Sequence, residues 1–224
     1  KDLLDSGTRG QILEKIKILF KEFNFLHIET STIQRTETLL SKGNDHEIYG
    51  IHRLKNDDKE ETESKMGLRY DLTVPLTRYV LANAGQLQNA GYFKKPFQVY
   101  QIGKVFRGER PQGGRFRQFY QCDIDIIAKD DLKKHYNDSM LHVIESVLSV
   151  LKLDYVILHE VERGQNYYSD FTFEIQIKDY EQYGSVAGGG RYTFKDDKNN
   201  FVAVGGSIGL TRLFSILTSK KNEK

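Results

Sequence analysis

The stretch "FRGERPQGGRFRQFYQCDID", residues 106–125, decides how the chain is organised. Pro111, Gly113 and Gly114 are turn residues between two runs of strand formers, around 97–107 and 115–127, so the spacing predicts an antiparallel hairpin joined by "GERPQGG". Alternation sorts the second strand. Its odd positions are Arg115, Arg117, Phe119, Gln121, Asp123 and Asp125, and its even positions include Phe116, Tyr120, Cys122, Ile124 and Ile126. One face is therefore apolar, and the other is polar with a single aromatic ring. On the first strand Arg107 and Glu109 share a face. Ion pairs laced across an exposed sheet face would each contribute only about 0.2–1 kcal/mol, and they give Phe119 no reason to stand among charges. A ligand with a flat ring and several negative charges does: the ring stacks on Phe119 while arginines fork onto phosphates. A nucleotide fits that description.

Working outward, Ile12, Ile16, Leu19, Phe20 and Phe23 form one stripe of an amphipathic helix from Gln11. "FLHIETSTI" reads as a strand, and "IHRLKNDDKEETESKMGLRYDLT" places a charged, solvated loop between two short strands. "PLTRYVLANAG" suits a helix with Pro75 in its first turn and a glycine stop. Asp138 or Ser139 can cap a helix that carries Met140, Ile144, Val147, Leu148 and Leu151 on one face. In "FTFEIQI", Phe171, Phe173, Ile175 and Ile177 alternate with polar residues, the pattern of a strand with one buried face; "NNFVAVGG" and "GLTRLFSILTS" are a last strand and a last helix. Strands linked by hairpins outnumber helices, which implies an α+β domain: an antiparallel sheet with helices on one side.

Composition excludes several classes. With 224 residues, 38% hydrophobic and 12% aromatic, the chain can bury a sizeable core, and no apolar run is long enough to span a membrane. No secretory signal opens the sequence, and the one cysteine, Cys122, rules out internal disulfides and multi-cysteine zinc sites, so the expectation is a cytoplasmic protein with Cys122 as a small buried hydrophobe. A net charge of +2 gives no bulk attraction to nucleic acid; positive charge is concentrated locally. The six histidines show no metal-ligand spacing.

"GGSIG", residues 205–209, fits G-x-S-x-G between a strand and a helix, the setting of a nucleophilic serine. In such hydrolases the acid and the histidine follow the serine, yet residues 208–224 hold neither His nor Asp, so Ser207 is not read as a nucleophile and the glycines are read as points of close backbone approach. "AGGGRY", residues 187–192, lacks the ending of a P-loop and the spacing of a dinucleotide fingerprint.

Phe106-Arg107-Gly108-Glu109, a loop, and then Arg115, Phe119 and Asp123 at four-residue spacing resemble motif 2 of the class II aminoacyl-tRNA synthetases. "LRYDLTVPLTRY", "RGQNYY", "AGGGRY" and "GGSIGLTRLFSIL" follow the order seen in the histidyl members of that family. The resemblance implies a six- to seven-stranded antiparallel sheet flanked by helices, a homodimer, and a two-step reaction: histidine and ATP give histidyl-adenylate and pyrophosphate, and the histidyl group then passes to the 3′ end of tRNA(His). It implies that Arg107 holds the α-phosphate and the substrate carboxylate, Glu109 reads the adenine amino group, Phe119 stacks on adenine, and Arg115 and Arg212 take the β- and γ-phosphates, with Mg²⁺ sharing the charge. Arg163 would face the α-phosphate from the side opposite Arg107. Asp71, Thr73 and Gln121 would meet the α-ammonium of histidine, and Tyr167, Tyr168 and Tyr192, with Arg163, would complete its pocket.

By the same resemblance residues 1–224 correspond to the catalytic domain, without the helical insertion and the C-terminal anticodon-binding domain of the family. Ser31 stands where motif 1 has proline, Gln165 and Asn166 replace Leu-Asp, Thr193 replaces Asp, and Thr211 replaces Glu before Arg212. The competing reading is a non-catalytic subunit that senses histidine and regulates the first enzyme of histidine biosynthesis; the full set of arginines favours the enzyme.

Overall fold

The hairpin is present. In the computed structural model, which describes residues 6–40, 45–53, 64–110, 114–161 and 168–222, Phe97–Phe106 and Gln118–Lys129 are the fifth and sixth of ten strands and pair antiparallel from Phe97 opposite Ile127 to Phe106 opposite Gln118. In chain order the elements are α1 (Ser6–Glu22), β1 (Leu26–His27), β2 (Ile33–Arg35), α2 (Thr36–Leu40), β3 (Gly50–Ile51), β4 (Met66–Leu68), α3 (Thr73–Ala82), α4 (Ala84–Asn89), β5, β6, α5 (His135–Val150), β7 (Tyr155–His159), β8 (Thr172–Ile177), β9 (Ala187–Lys195), β10 (Asn200–Ile208) and α6 (Leu210–Asn222). The main sheet has seven strands in the order β1-β5-β6-β10-β9-β8-β7, and β2, β4 and β3 make a small antiparallel sheet of their own.

Alternation along β6 places Cys122, Ile124 and Ile126 on one face, where they pack with Ile16 and Phe20 of α1, Met140, Ile144 and Val147 of α5, and Leu213 and Ile216 of α6. Each such buried side chain contributes about 1.5–3 kcal/mol relative to an exposed one. Gly205 and Gly206 bring the layers together: a Cβ on Gly206 would press on Ile144 and Met140 of α5, and one on Gly205 would collide with the Asp125 carboxylate. The opposite face divides in two. At one end Phe97, Val99, Ile127, Phe201 and Ala203 are covered by Leu76, Val80 and Leu87 of α3 and α4; the other end carries Gln121, Asp123 and Ser207 and opens into a cleft.

Several expectations change. Helices cover both faces of the sheet, because α3 and α4 pack against its second side. β1 pairs parallel with β5, which the long connection through the small sheet and α3–α4 makes possible. The expected strand at 25–33 is two short pieces, β1 and β2. α5 starts at His135, ahead of the expected caps, because Arg191 of β9 donates to Leu132 O and Lys133 O and to Asn137 Oδ1, anchoring the turn before it; Asp138 instead lies in the first turn, where a carboxylate suits the helix dipole. α3 ends at Asn83, whose side-chain amide donates to Tyr79 O, and Gly85 lies inside α4. The charged segment 54–63 lies outside the described residues. Cys122 is fully buried, and burial raises its thiol pKa. Among the described residues no helix is long and apolar enough to cross a membrane.

Candidate active site

The cleft at the polar end of the sheet has a volume of about 870 Å³. Arg107, Glu109, Arg115, Phe119, Gln121, Tyr168 and Arg212 all line it. They come from separate elements, and the register of β5, β6 and β10 brings them together: Arg107 and Glu109 follow β5, Arg115 precedes β6, Phe119 and Gln121 lie on β6, and Arg212 is in the first turn of α6.

One wall is cationic. Arg107 Nε donates to Tyr70 O at 3.0 Å, which places its guanidinium 5.3 Å from the centre of the Phe119 ring. Arg115 lies 3.6 Å from the Glu109 carboxylate. Arg212 donates to Gly114 O at 3.0 Å and to Ser185 O, and so fastens α6 to both the hairpin and the turn before β9. Burial, and then the charges of Arg115 and Arg107, lower the Arg212 pKa against the opposing pull of Glu109. Three guanidinium groups gathered on one wall of a cleft form a site suited to a polyanion.

The floor is hydrogen-bonded. Gln121 Nε2 donates to Ser207 Oγ at 2.5 Å, Ser207 Oγ donates to Asp123 Oδ1 at 2.6 Å, and Thr73 Oγ1 lies 3.5 Å from Asp123 Oδ2. Gln121 is only 9% exposed, and its Oε1 meets no hydrogen-bond partner among the described residues. Burial, and then the neighbouring Asp125, push the Asp123 carboxyl up to about 8; the Ser207 bond and Arg107 pull the other way. Tyr192 donates to Asp125 Oδ1 at 2.7 Å, and burial raises the pKa of both Tyr168 and Tyr192.

Asp71, Thr73 and Tyr192 stand next to the residues that line the cleft. Asp71 Oδ1 accepts from Val74 N at 2.9 Å and so serves the start of α3, while Thr73 stands behind the floor against Asp123. Tyr192 is 2% exposed and packs in the apolar cluster beside the cleft, reaching the site through Asp125. Arg163, Tyr167, Gln165 and Asn166 lie outside the described residues. Of the other departures, Thr211 Oγ1 accepts from Tyr120 N at 2.8 Å, a tie between α6 and β6, and Ser31 Oγ donates to Ile33 O. Thr193 is an exposed residue of β9 opposite Val202. Sequence reasoning passed over Ser207, Asp123 and Glu174 as site residues. The period-two pattern had already placed Asp123 beside Gln121, whereas Ser207 and Glu174 reach the cleft only through cross-strand register.

Residues 80–221 match the family described as the tRNA synthetase class II core domain (G, H, P, S and T). The chain belongs to this family. Known proteins similar to it include the histidine–tRNA ligases of Thermobifida fusca, 39% identical over 63% of the chain, and of Stenotrophomonas maltophilia, 38% identical over 64%. The match takes in 31% of each relative, so the chain spans about a third of their length. The crystal structure of histidyl-tRNA synthetase from Nostoc sp. PCC 7120 shares the class II fold, with a TM-score of 0.76 at 22% identity over 97% of this chain and 73% of that one. Class II synthetases use ATP. Among the described residues no group of three His, Cys, Asp or Glu side chains is placed to hold a metal ion.

Proposed function

We propose that the chain activates histidine with ATP and transfers it to tRNA(His), with residues 1–224 as the catalytic domain. What carries the reading is one juxtaposition: three guanidinium groups and an aromatic ring at one part of the cleft, and at another the buried acceptor Gln121 Oε1, without a partner among the described residues. In the first step a carboxylate oxygen of histidine attacks the α-phosphorus, and the bond to the bridging oxygen breaks with its electron pair leaving on pyrophosphate. In the second, a ribose hydroxyl at the tRNA 3′ end attacks the histidyl carbonyl, AMP departs, and the hydroxyl proton is released. Neither step demands a strong base; both demand cations placed where negative charge gathers.

In this reading Arg107 holds the α-phosphate, Arg115 and Arg212 hold the outer phosphates, Phe119 and Glu109 hold adenine, and Gln121 accepts from the ammonium of histidine. Glu109 and Glu174 on the cleft wall are oxygen donors of the kind Mg²⁺ favours, so the site suits a Mg²⁺ that arrives with ATP and neutralises part of its charge. A cytoplasmic homodimer belongs to the same proposal: Ile33 and Met66, both exposed on one face of the small sheet, offer apolar surface to a second copy. A histidine-sensing regulatory subunit has no use for the arginine cluster, and the relatives matched carry ligase names. The test is histidine-dependent exchange of pyrophosphate into ATP. Exchange with histidine alone among the amino acids is expected; its absence while histidine still binds would overturn the proposal.

A further inference from the structure

We propose that Ser207 and Asp123 are positioning residues that hold the Gln121 amide with its oxygen turned toward the ammonium group of the amino-acid substrate. The inference rests on the reading of Gln121 given under the proposed function and concerns residues which that reading leaves without a task. A serine hydroxyl has one hydrogen. Ser207 commits it to Asp123 Oδ1 at 2.6 Å, so toward Gln121 it can only accept, and the Gln121 Nε2 group lies 2.5 Å away. With Nε2 fixed there, Oε1 must point the other way, and it is the atom that lacks a partner among the described residues.

Strand register makes the arrangement rigid. Ser207 of β10 stands directly opposite Asp123 of β6, and Gln121 is the next residue on the same face of β6. Asp123 Oδ2 faces Thr73 Oγ1 at 3.5 Å, so a proton held on Oδ2 leaves Oδ1 an acceptor, and the direction of the relay is the same in either protonation state. If the relay ran backwards, the amide would present its N–H groups to a cation that has only donors. The serine of the "GGSIG" segment thus acts through its hydrogen bond, without attacking anything.

Titration calorimetry of the chain with histidine and with its analogue lacking the α-amino group tests this. The unaltered chain should bind histidine at least about tenfold tighter than the analogue, a difference of about 1.4 kcal/mol. Asp123→Asn, whose amide can donate to Ser207 and reverse the relay, and Ser207→Ala should each abolish that preference while binding the analogue as before. Ser207→Thr, which keeps the hydroxyl, should retain it. Variants that keep the preference, or that lose both ligands alike, would overturn the relay while leaving the histidine reading intact. An unaltered chain that shows no preference would overturn the reading of Gln121 itself, and the relay with it.

Discussion

The two ends of one sheet face are built from the same strands and solve opposite problems. At the closed end Phe97, Val99, Ile127, Phe201 and Ala203 lie under α3 and α4, and Phe201 stacks on Phe194 with ring centres 5.3 Å apart. At the open end the same β6 and β10 carry Gln121, Asp123 and Ser207, and the space above them is a cleft of about 870 Å³. The boundary falls at the bond from Tyr192 to Asp125, beside Gly205. The closed end gains stability from apolar area removed from water; the open end keeps polar groups buried and leaves the Gln121 acceptor unsatisfied among the described residues, a cost that a ligand can offset. Stability and binding are thus segregated along a few strands, and each end should fail in its own way.

The largest expected effect is at the closed end. Phe201→Ala should cost about 3–5 kcal/mol through the lost ring and the cavity it leaves. Calorimetric unfolding would read this as a Tm lowered by at least about 6 °C, while exchange activity assayed well below the transition stays near that of the unaltered chain. Next, Arg107→Ala at the open end should lower pyrophosphate exchange about 10²- to 10³-fold, by analogy with the loss of one transition-state donor, and leave Tm almost unchanged. If Arg107→Ala reduced stability and activity together, the two ends would not be independent. A smaller effect belongs to Phe119→Leu, which removes the aromatic face near Arg107: the KM for ATP should rise about two- to tenfold, the worth of one aromatic pairing, with the KM for histidine unaffected.

Much of this division was legible in the sequence. Alternation along 115–127 separated Gln121, Asp123 and Asp125 from Cys122, Ile124 and Ile126, and the sheet keeps them on opposite faces. "FTFEIQI" buries Phe173, Ile175 and Ile177 as its pattern requires. What escaped was decided at a distance. The start of α5 depends on Arg191, more than fifty residues away in the chain, and no local capping rule can register that tether. β9 was hidden because "AGGG" has little strand propensity; its glycines are accepted because Gly189 runs so close to Gly205 that a Cβ would strike the backbone. Ser207 matched a nucleophile pattern, and its actual partners, Asp123 and Gln121, are set by pairing between β10 and β6 rather than by spacing along either.

Beyond these substitutions, stability should drift with pH, and the drift comes from the open end. Asp123 is faced by Asp125 on its own strand, by Asp71 before α3 and by Arg107 beyond β5, and burial is the largest influence on it. Its carboxyl rises from an ordinary value of 3.8 to about 8 in the folded chain. Below the ordinary value both folded and unfolded chains hold the proton. Between there and about 8 only the folded chain holds it, so unfolding releases a proton and stability falls as pH rises through this window. Above it neither state is protonated and the trend ends. Asp123→Asn cannot titrate, so its Tm should decline less than that of the unaltered chain across the same window, measured by circular dichroism in matched buffers. Parallel profiles for the two chains would mean that Asp123 is ionised throughout. A protonated Asp123 subtracts less from the field of the arginines lining the cleft than an ionised one would, so the group that weakens the fold as pH rises is also the one whose proton spares that field.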